Sequence, residues 1–364
     1  MASENPTYTE RLSSYEPDLL KFLNAFESVQ EDMRPGEVRG LQARLVAATG
    51  DTFRRFNNDF ASMTPPEDRA AFHRSFVIAV AHLERALNLF MVDPGPNWVE
   101  IFLRSRGSLV RGLYALYERR ADLPIIARHF ALEGTPGAAD PAGDNDGAAP
   151  VGFTHHEREG QRGEYSLYVP ENYTSAKPWP VIICLHGGYG QGYEYIWTWL
   201  RPARTKGYIL LSPKSLVETW TMTMGSPDTR SVMQMLDEVA QRYAIDRSRV
   251  YLTGLSDGGI FTYIMGLERH EVFTALAPVA GALHMAADPM LRTGTGRELP
   301  IFVIHGVHDF IFPVTFTRQT NELLTSLKYD IKYEELPDWG HALTYSINER
   351  LVMPWFESLP PRTE

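Results

Sequence analysis

The chain has 364 residues, 44% hydrophobic and 22% charged, an ordinary globular composition with enough apolar material for a sizeable core. A net charge of −10 argues against the basic surface that nucleic-acid binding requires and disfavours docking on anionic membranes. The single cysteine, Cys184, rules out an intrachain disulfide, and no apolar run approaches the ~18 residues that span a bilayer.

The N-terminal stretch "MASENPTYTERLSSYEP" has no basic n-region and no apolar h-region, so a cytoplasmic protein is expected. Residues 10–132 read as about four helices packed as a bundle or irregular cap. Phe76, Val80, Leu83, Leu87 and Phe90 form a one-face stripe; Trp98, Phe102, Leu109, Leu113 and Leu116 form another, which Ser105 interrupts. In "TPPEDRAAF" Thr64 is expected to cap a helix with proline in its first turn, and "DPGPN" at 93–97 breaks the chain between two helices. His73, His82 and His129 show no metal-ligand spacing and read as surface or core histidines. The outer faces of these helices offer a surface for self-association.

Residues 134–150, "GTPGAADPAGDNDGAAP", contain no large apolar side chain and read as a linker or long loop. The expected organisation is therefore a helical domain over 1–133, this linker, and a third region over 151–364. In that region the pattern alternates. "EYSLYVP", "VIICLH", "YILLSP", "VYLTG", "FTALAPVAG" and "IFVIHG" are short strand-like runs, mostly apolar, and residues 228–243 between two of them read as a helix. Alternating strands and helices imply βαβ units and a mostly parallel sheet, an α/β fold.

"VYLTGLSDGGIF" places Gly254-x-Ser256-x-Gly258 between a strand and a helix, the context of a strained nucleophile turn. Large side chains two residues either side of the serine would clash there, and the helix N-terminus favours developing negative charge. A serine hydroxyl needs a base, and the base an orienting acid. Asp309, just past "IFVIHG", is the expected acid; Asp338 is its rival. His341 in "LPDWGHALTY", after the strand-like "YDIKYEEL", is the only histidine beyond that final strand and the expected base. His305 and His308 flank the acid as structural or site residues. The backbone N–H of Asp257 and one from Gly188 or Tyr189, in "LHGGYGQGYEY", are the expected oxyanion donors, with His186 anchoring that loop. Tyr189, Trp220 and Trp339 are candidate substrate-lining residues, with core packing as the competing role. Cys184, in the apolar "VIICLH", reads as buried filler.

Residues ~160–358 resemble the α/β-hydrolase fold, and within it carboxylesterase-like, feruloyl-esterase-like and polyhydroxybutyrate-depolymerase-like esterases. The stretches that carry this are "YSLYVPENY", "VIICLHGGYGQG", "VYLTGLSDGG", "HGVHDFIFP" and "DWGHAL". The resemblance implies a serine esterase acting on small to medium-chain or aromatic esters through an acyl-enzyme, with Ser256 as nucleophile, His341 as base, Asp309 as acid, and no metal or organic cofactor. Lysophospholipase or serine peptidase activity on the same fold, and a non-catalytic binding protein, are the alternatives. Ser256 stands where dienelactone hydrolases carry cysteine. The helical N-terminal third matches no family pattern.

Overall fold

A computed structural model describes residues 7–93, 98–134, 145–157 and 163–363, with the backbone alone for Trp98. Most of the expected break at 93–97 and residues 135–144 of the expected linker lie outside the described residues. The chain divides into two compact units, Met1–Asp140 and Pro141–Glu364.

The first unit is helical, with α1 (Tyr8–Glu31), α2 (Val38–Thr49), α3 (Thr52–Asp59), α4 (Ala70–Phe90) and α5 (Trp98–Glu118). These are five α-helices among the described residues rather than about four. The extra one is α3, set off from α2 by Gly50, whose φ of 56° ends the preceding helix. Thr64 caps no helix: a 3-10 turn at Glu67–Arg69 intervenes, and α4 begins at Ala70 without a side-chain cap. The side-chain cap lies at the start of α1 instead, where Thr7 and Glu10 form a reciprocal capping box. The α4 stripe buries Phe76, Val80, Leu83 and Phe90. Ser105 sits on the buried face of α5 because its hydroxyl donates to the Ala86 carbonyl at 2.7 Å.

The second unit is an eight-stranded sheet, in the order β1-β2-β4-β3-β5-β6-β7-β8. The strands are β1 (Gly152–His156), β2 (Tyr165–Val169), β3 (Trp179–Leu185), β4 (Ile209–Pro213), β5 (Ile245–Leu255), β6 (Ala275–Val279), β7 (Ile301–Gly306) and β8 (Ile331–Leu336). β1, β2 and β4 pair antiparallel; β4-β3-β5-β6-β7-β8 pair parallel. The central strands β3, β4, β6 and β7 are buried throughout, which is why they read as continuous apolar runs. β1 is a half-buried edge strand that the hydrophobic pattern does not mark.

From β3 the chain moves outward to β4, then returns past β3 to β5. Strand order reverses there, so the loops leaving β3 and β5 open side by side at the carboxyl edge, where open α/β sheets bind ligands. The helices of this unit are α6 (Gly192–Tyr195), α7 (Leu200–Lys206), α8 (Pro227–Arg242), α9 (Asp257–Glu268), α10 (Asp288–Thr293) and α11 (Val314–Ser326), with further short turns after β8. No helix among the described residues is long and apolar enough to cross a membrane.

Candidate active site

β5 ends at Leu255 and α9 starts at Asp257, leaving Ser256 alone at the turn with φ 58° and ψ −121°. A non-glycine residue at positive φ costs roughly 1–3 kcal/mol, so the surroundings must impose it. Two constraints are visible. Ser256 N–H donates to the Val279 carbonyl at the end of β6, at 2.9 Å. A Cβ at Gly254 would strike the Gly258 backbone, and one at Gly258 the Leu185 and His186 carbonyls. Glycine at both positions therefore lets α9 start directly against β3.

The expected acid and base, Asp309 and His341, lie on the loops after β7 and β8. His341 Nδ1 lies 2.8 Å from Asp309 Oδ2. The other oxygen of Asp309 accepts the N–H groups of Ile311 and Phe312, each at 2.8 Å. Burial pushes the Asp309 carboxyl up, but the His341 bond and those two N–H groups outweigh it and hold the carboxyl below its usual range. Against the ionised carboxylate, Nδ1 of His341 is a donor. Phe310 and Phe312 approach the His341 ring edge-on, at 6.1 and 5.7 Å. Asp338, the rival acid, is exposed and makes no hydrogen bond to His341. Ser256 Oγ and the His341 ring are not hydrogen-bonded to each other in this structure.

Behind the acid, His305 is fully buried at the end of β7. Its Nε2 donates to the Phe312 carbonyl at 2.7 Å and lies 3.3 Å from Asp309 Oδ2, while Nδ1 accepts from Thr317 Oγ at 2.8 Å. Burial lowers its pKa, so it is a neutral prop for the 309–312 turn. His308 is exposed.

The loop after β3 crosses the nucleophile: a Cβ built on Gly187 would lie 3.3 Å from Ser256 Cβ. His186 anchors it. Nδ1–H donates to the Gly187 carbonyl at 2.7 Å, and Nε2 accepts from Ser215 N–H at 3.1 Å. Complete burial lowers the pKa of His186 to about 4, which keeps this tautomer neutral. Two expectations fail here. Tyr189 N–H is not free for an oxyanion, because it donates to the Glu218 carbonyl at 2.8 Å. Trp220 is core rather than pocket wall: it is 2% exposed, stacks on Phe261 and donates Nε1–H to the His186 carbonyl. Gly188 N–H, by contrast, makes no hydrogen bond among the described residues. Asp257 opens α9, so its N–H has no partner within the helix. The Tyr189 side chain is exposed, at 69%, and Trp339 is buried with its indole N–H unpartnered. Cys184 is fully buried and its thiol is pushed up to about 12, so it is inert.

No group of three or more His, Cys, Asp or Glu residues that could hold a metal occurs among the described residues. The geometry brings to one edge a strained serine, an imidazole hydrogen-bonded to a carboxylate, and two backbone N–H groups, of Gly188 and Asp257, without a partner among the described residues.

Two family models match this unit: one described as Phospholipase/Carboxylesterase over residues 224–351, and BD-FAE over residues 166–280. The chain is 30% identical, over 43% of its length, to the bifunctional acetylxylan esterase/xylanase XynS20E of Neocallimastix patriciarum, of which it covers 22%. It is 26% identical, over 42% of its length, to feruloyl esterase C of Emericella nidulans, of which it covers 56%. A solved thermostable esterase is similar at 21% identity with a TM-score of 0.49, over 57% of this chain and 62% of that one. The chain thus spans between a fifth and just over half of these two curated relatives. The second unit has an α/β-hydrolase fold. In sequence it is similar to esterase families, carboxylesterase-like and feruloyl-esterase-like.

Proposed function

We propose that the protein is a serine carboxylic-ester hydrolase acting through an acyl-enzyme on small to medium-chain or aromatic esters. The observation that carries this is the 2.8 Å contact between His341 Nδ1 and Asp309 Oδ2, on the sheet edge that also bears the strained Ser256. A carboxylate at Nδ1 fixes the tautomer whose Nε2 can take a proton. The names of the relatives, acetylxylan esterase and feruloyl esterase, support an ester substrate.

In the reaction Ser256 Oγ attacks the ester carbonyl carbon while its proton passes to His341 Nε2. The carbonyl oxygen becomes an oxyanion, held by the N–H groups of Gly188 and Asp257. The tetrahedral adduct collapses, the C–O bond to the alcohol breaks, and His341 returns the proton to the departing oxygen. A water molecule then gives a proton to His341 Nε2 and attacks the acyl carbon; the acyl C–Oγ bond breaks, His341 returns the proton to Ser256 Oγ, and the acid leaves. Asp309 stays ionised and stabilises the imidazolium. The Ser256–His341 hydrogen bond forms as substrate seats, as apo sites of this kind commonly show looser geometry. Exposed Tyr189, next to a donor, and Trp339, two residues from the base, flank the substrate.

The test is hydrolysis of p-nitrophenyl acetate, butyrate and octanoate by wild type and Ser256→Ala. Wild type turns over at least one, and Ser256→Ala loses about 10⁴-fold or more in kcat. A folded wild type without turnover, or a serine variant near wild-type rate, overturns the reading.

A further inference from the structure

The loop after β4, residues 214–225, carries no motif, yet three consecutive residues in it grip three parts of the site. The Glu218 carbonyl accepts Tyr189 N–H at 2.8 Å, Thr219 Oγ–H donates to Asp257 Oδ2 at 2.5 Å, and Trp220 Nε1–H donates to the His186 carbonyl at 2.8 Å. The loop is itself held from below. Buried Asp228, in the first turn of α8, accepts Leu216 N–H and Thr221 N–H, one on each carboxylate oxygen at 2.8 Å, and Ser215 N–H donates to the His186 ring.

We infer that residues 218–220 are a brace that sets the spacing of the two oxyanion donors, with the Thr219–Asp257 hydrogen bond as its central strut. This rests on the reading of Ser256 as nucleophile. Asp257 gives its backbone N–H to one side of the proposed oxyanion hole, while its carboxylate reaches the other side: a Cβ on Gly188 would lie 2.6 Å from Asp257 Oδ2 and 3.9 Å from Thr219 Oγ. The carboxylate thus fills the space that any side chain at 188 would need, and Thr219 fixes where it stands. With Glu218 holding the next residue, Tyr189, the backbone at 188 is clamped on two sides. Oxyanion stabilisation depends on donors preset at 2.7–3.1 Å from the developing charge, so a displaced strut weakens the transition state more than the bound ester. A carboxylate in the first turn of α9 also suits the helix dipole. That role alone would alter melting temperature and leave kcat untouched.

The experiment compares Thr219→Val, which keeps shape but loses the hydroxyl, with Thr219→Ser, which keeps the hydroxyl, and with Asp257→Ala and the Thr219→Val/Asp257→Ala pair. Readouts are kcat and KM on p-nitrophenyl butyrate and the rate at which a fluorophosphonate probe modifies Ser256. Thr219→Val and Asp257→Ala are each expected to lose about 10–100-fold in kcat and in probe rate, with KM within about threefold of wild type. Thr219→Ser stays within about threefold of wild type throughout, and the double variant is no worse than Asp257→Ala alone, because both changes remove one strut. Thr219→Val or Asp257→Ala at more than half of wild-type kcat and probe rate overturns the brace, as does equal damage by Thr219→Val and Thr219→Ser. If folded wild type turns over no ester but still reacts with the probe, the esterase reading falls and the probe rates alone decide the brace. If it does neither, both fall.

Discussion

Buried polar side chains behave differently in the two units. In the helical unit several of them bond the backbone of another segment: buried Glu16 accepts the N–H groups of Ile125 and Ile126 at 2.8 and 3.2 Å, Gln42 donates to the Phe90 and Val92 carbonyls, and Ser105 donates to Ala86, while Arg106 donates to the Gln30 side chain. These contacts tie off helix ends and let helices approach. In the sheet unit buried His186, Asp228, His305 and Asp309 stand at one edge, in the loop after β3, the first turn of α8, the end of β7 and the loop after β7. Several of them hold other loops rather than their own. Of the four non-glycine residues at positive φ among the described residues, Tyr189, Ser256 and Ala280 follow strands β3, β5 and β6. Strain and buried polarity at one edge mark chemistry; the same polarity spread along helices marks architecture.

Substitutions can break that contrast. The largest expected effect after the proposed nucleophile belongs to the proposed acid. Asp309→Asn leaves His341 without its carboxylate and is expected to lower kcat about 10³–10⁴-fold, whereas Asp338→Asn stays within about twofold of wild type. Steady-state kinetics on p-nitrophenyl butyrate separate the two; a damaged Asp338→Asn beside an active Asp309→Asn would mean the wrong carboxylate was chosen.

The next effect is on stability. The folded pKa of His186 is depressed to about 4 from an ordinary value near 6.5, chiefly by burial. The unfolded chain therefore binds more protons between those values, so this residue's contribution is full above pH 6.5 and is lost as pH falls toward 4. The loss is on the order of 3 kcal/mol across that window. Buried His305, also depressed, acts in the same direction. Urea unfolding at pH 7 and pH 5 should show the slope, and His186→Gln should flatten it; an equal slope in the variant refutes the assignment.

The smallest effect tests the helical side of the contrast. Glu16→Ala strands the Ile125 and Ile126 N–H groups and should cost about 1–3 kcal/mol in unfolding free energy. Ester turnover per folded molecule should not change. A fall in kcat would show that a helix-end contact also serves the chemistry.

The residues proposed to carry the chemistry stand out in the sequence because their constraints are local. A serine between glycines after a β-branched strand, an acid after one apolar run and a histidine after the last strand each announce themselves within a few residues. What stayed hidden depends on contacts between distant segments. Tyr189 looked as suitable a donor as Gly188 until its N–H met Glu218, 29 positions later in the chain. Trp220 looked like a pocket aromatic because sequence shows the residue type and not the His186 carbonyl that its indole N–H meets. Thr219 had no signal at all. In the helical unit Thr64 had the right residue type for a cap, but the chain makes a 3-10 turn before α4. The half-buried edge strand β1 lacks the apolar run that marked the central strands.

The central claim is that Ser256, and no other residue, carries the acyl group. The most direct measurement is the intact mass and peptide map of the protein after reaction with a fluorophosphonate. One adduct per chain is expected, on Ser256, lost in Ser256→Ala and much slowed in His341→Ala. An adduct on another residue, or ester turnover by a protein in which Ser256 stays unmodified, would contradict it.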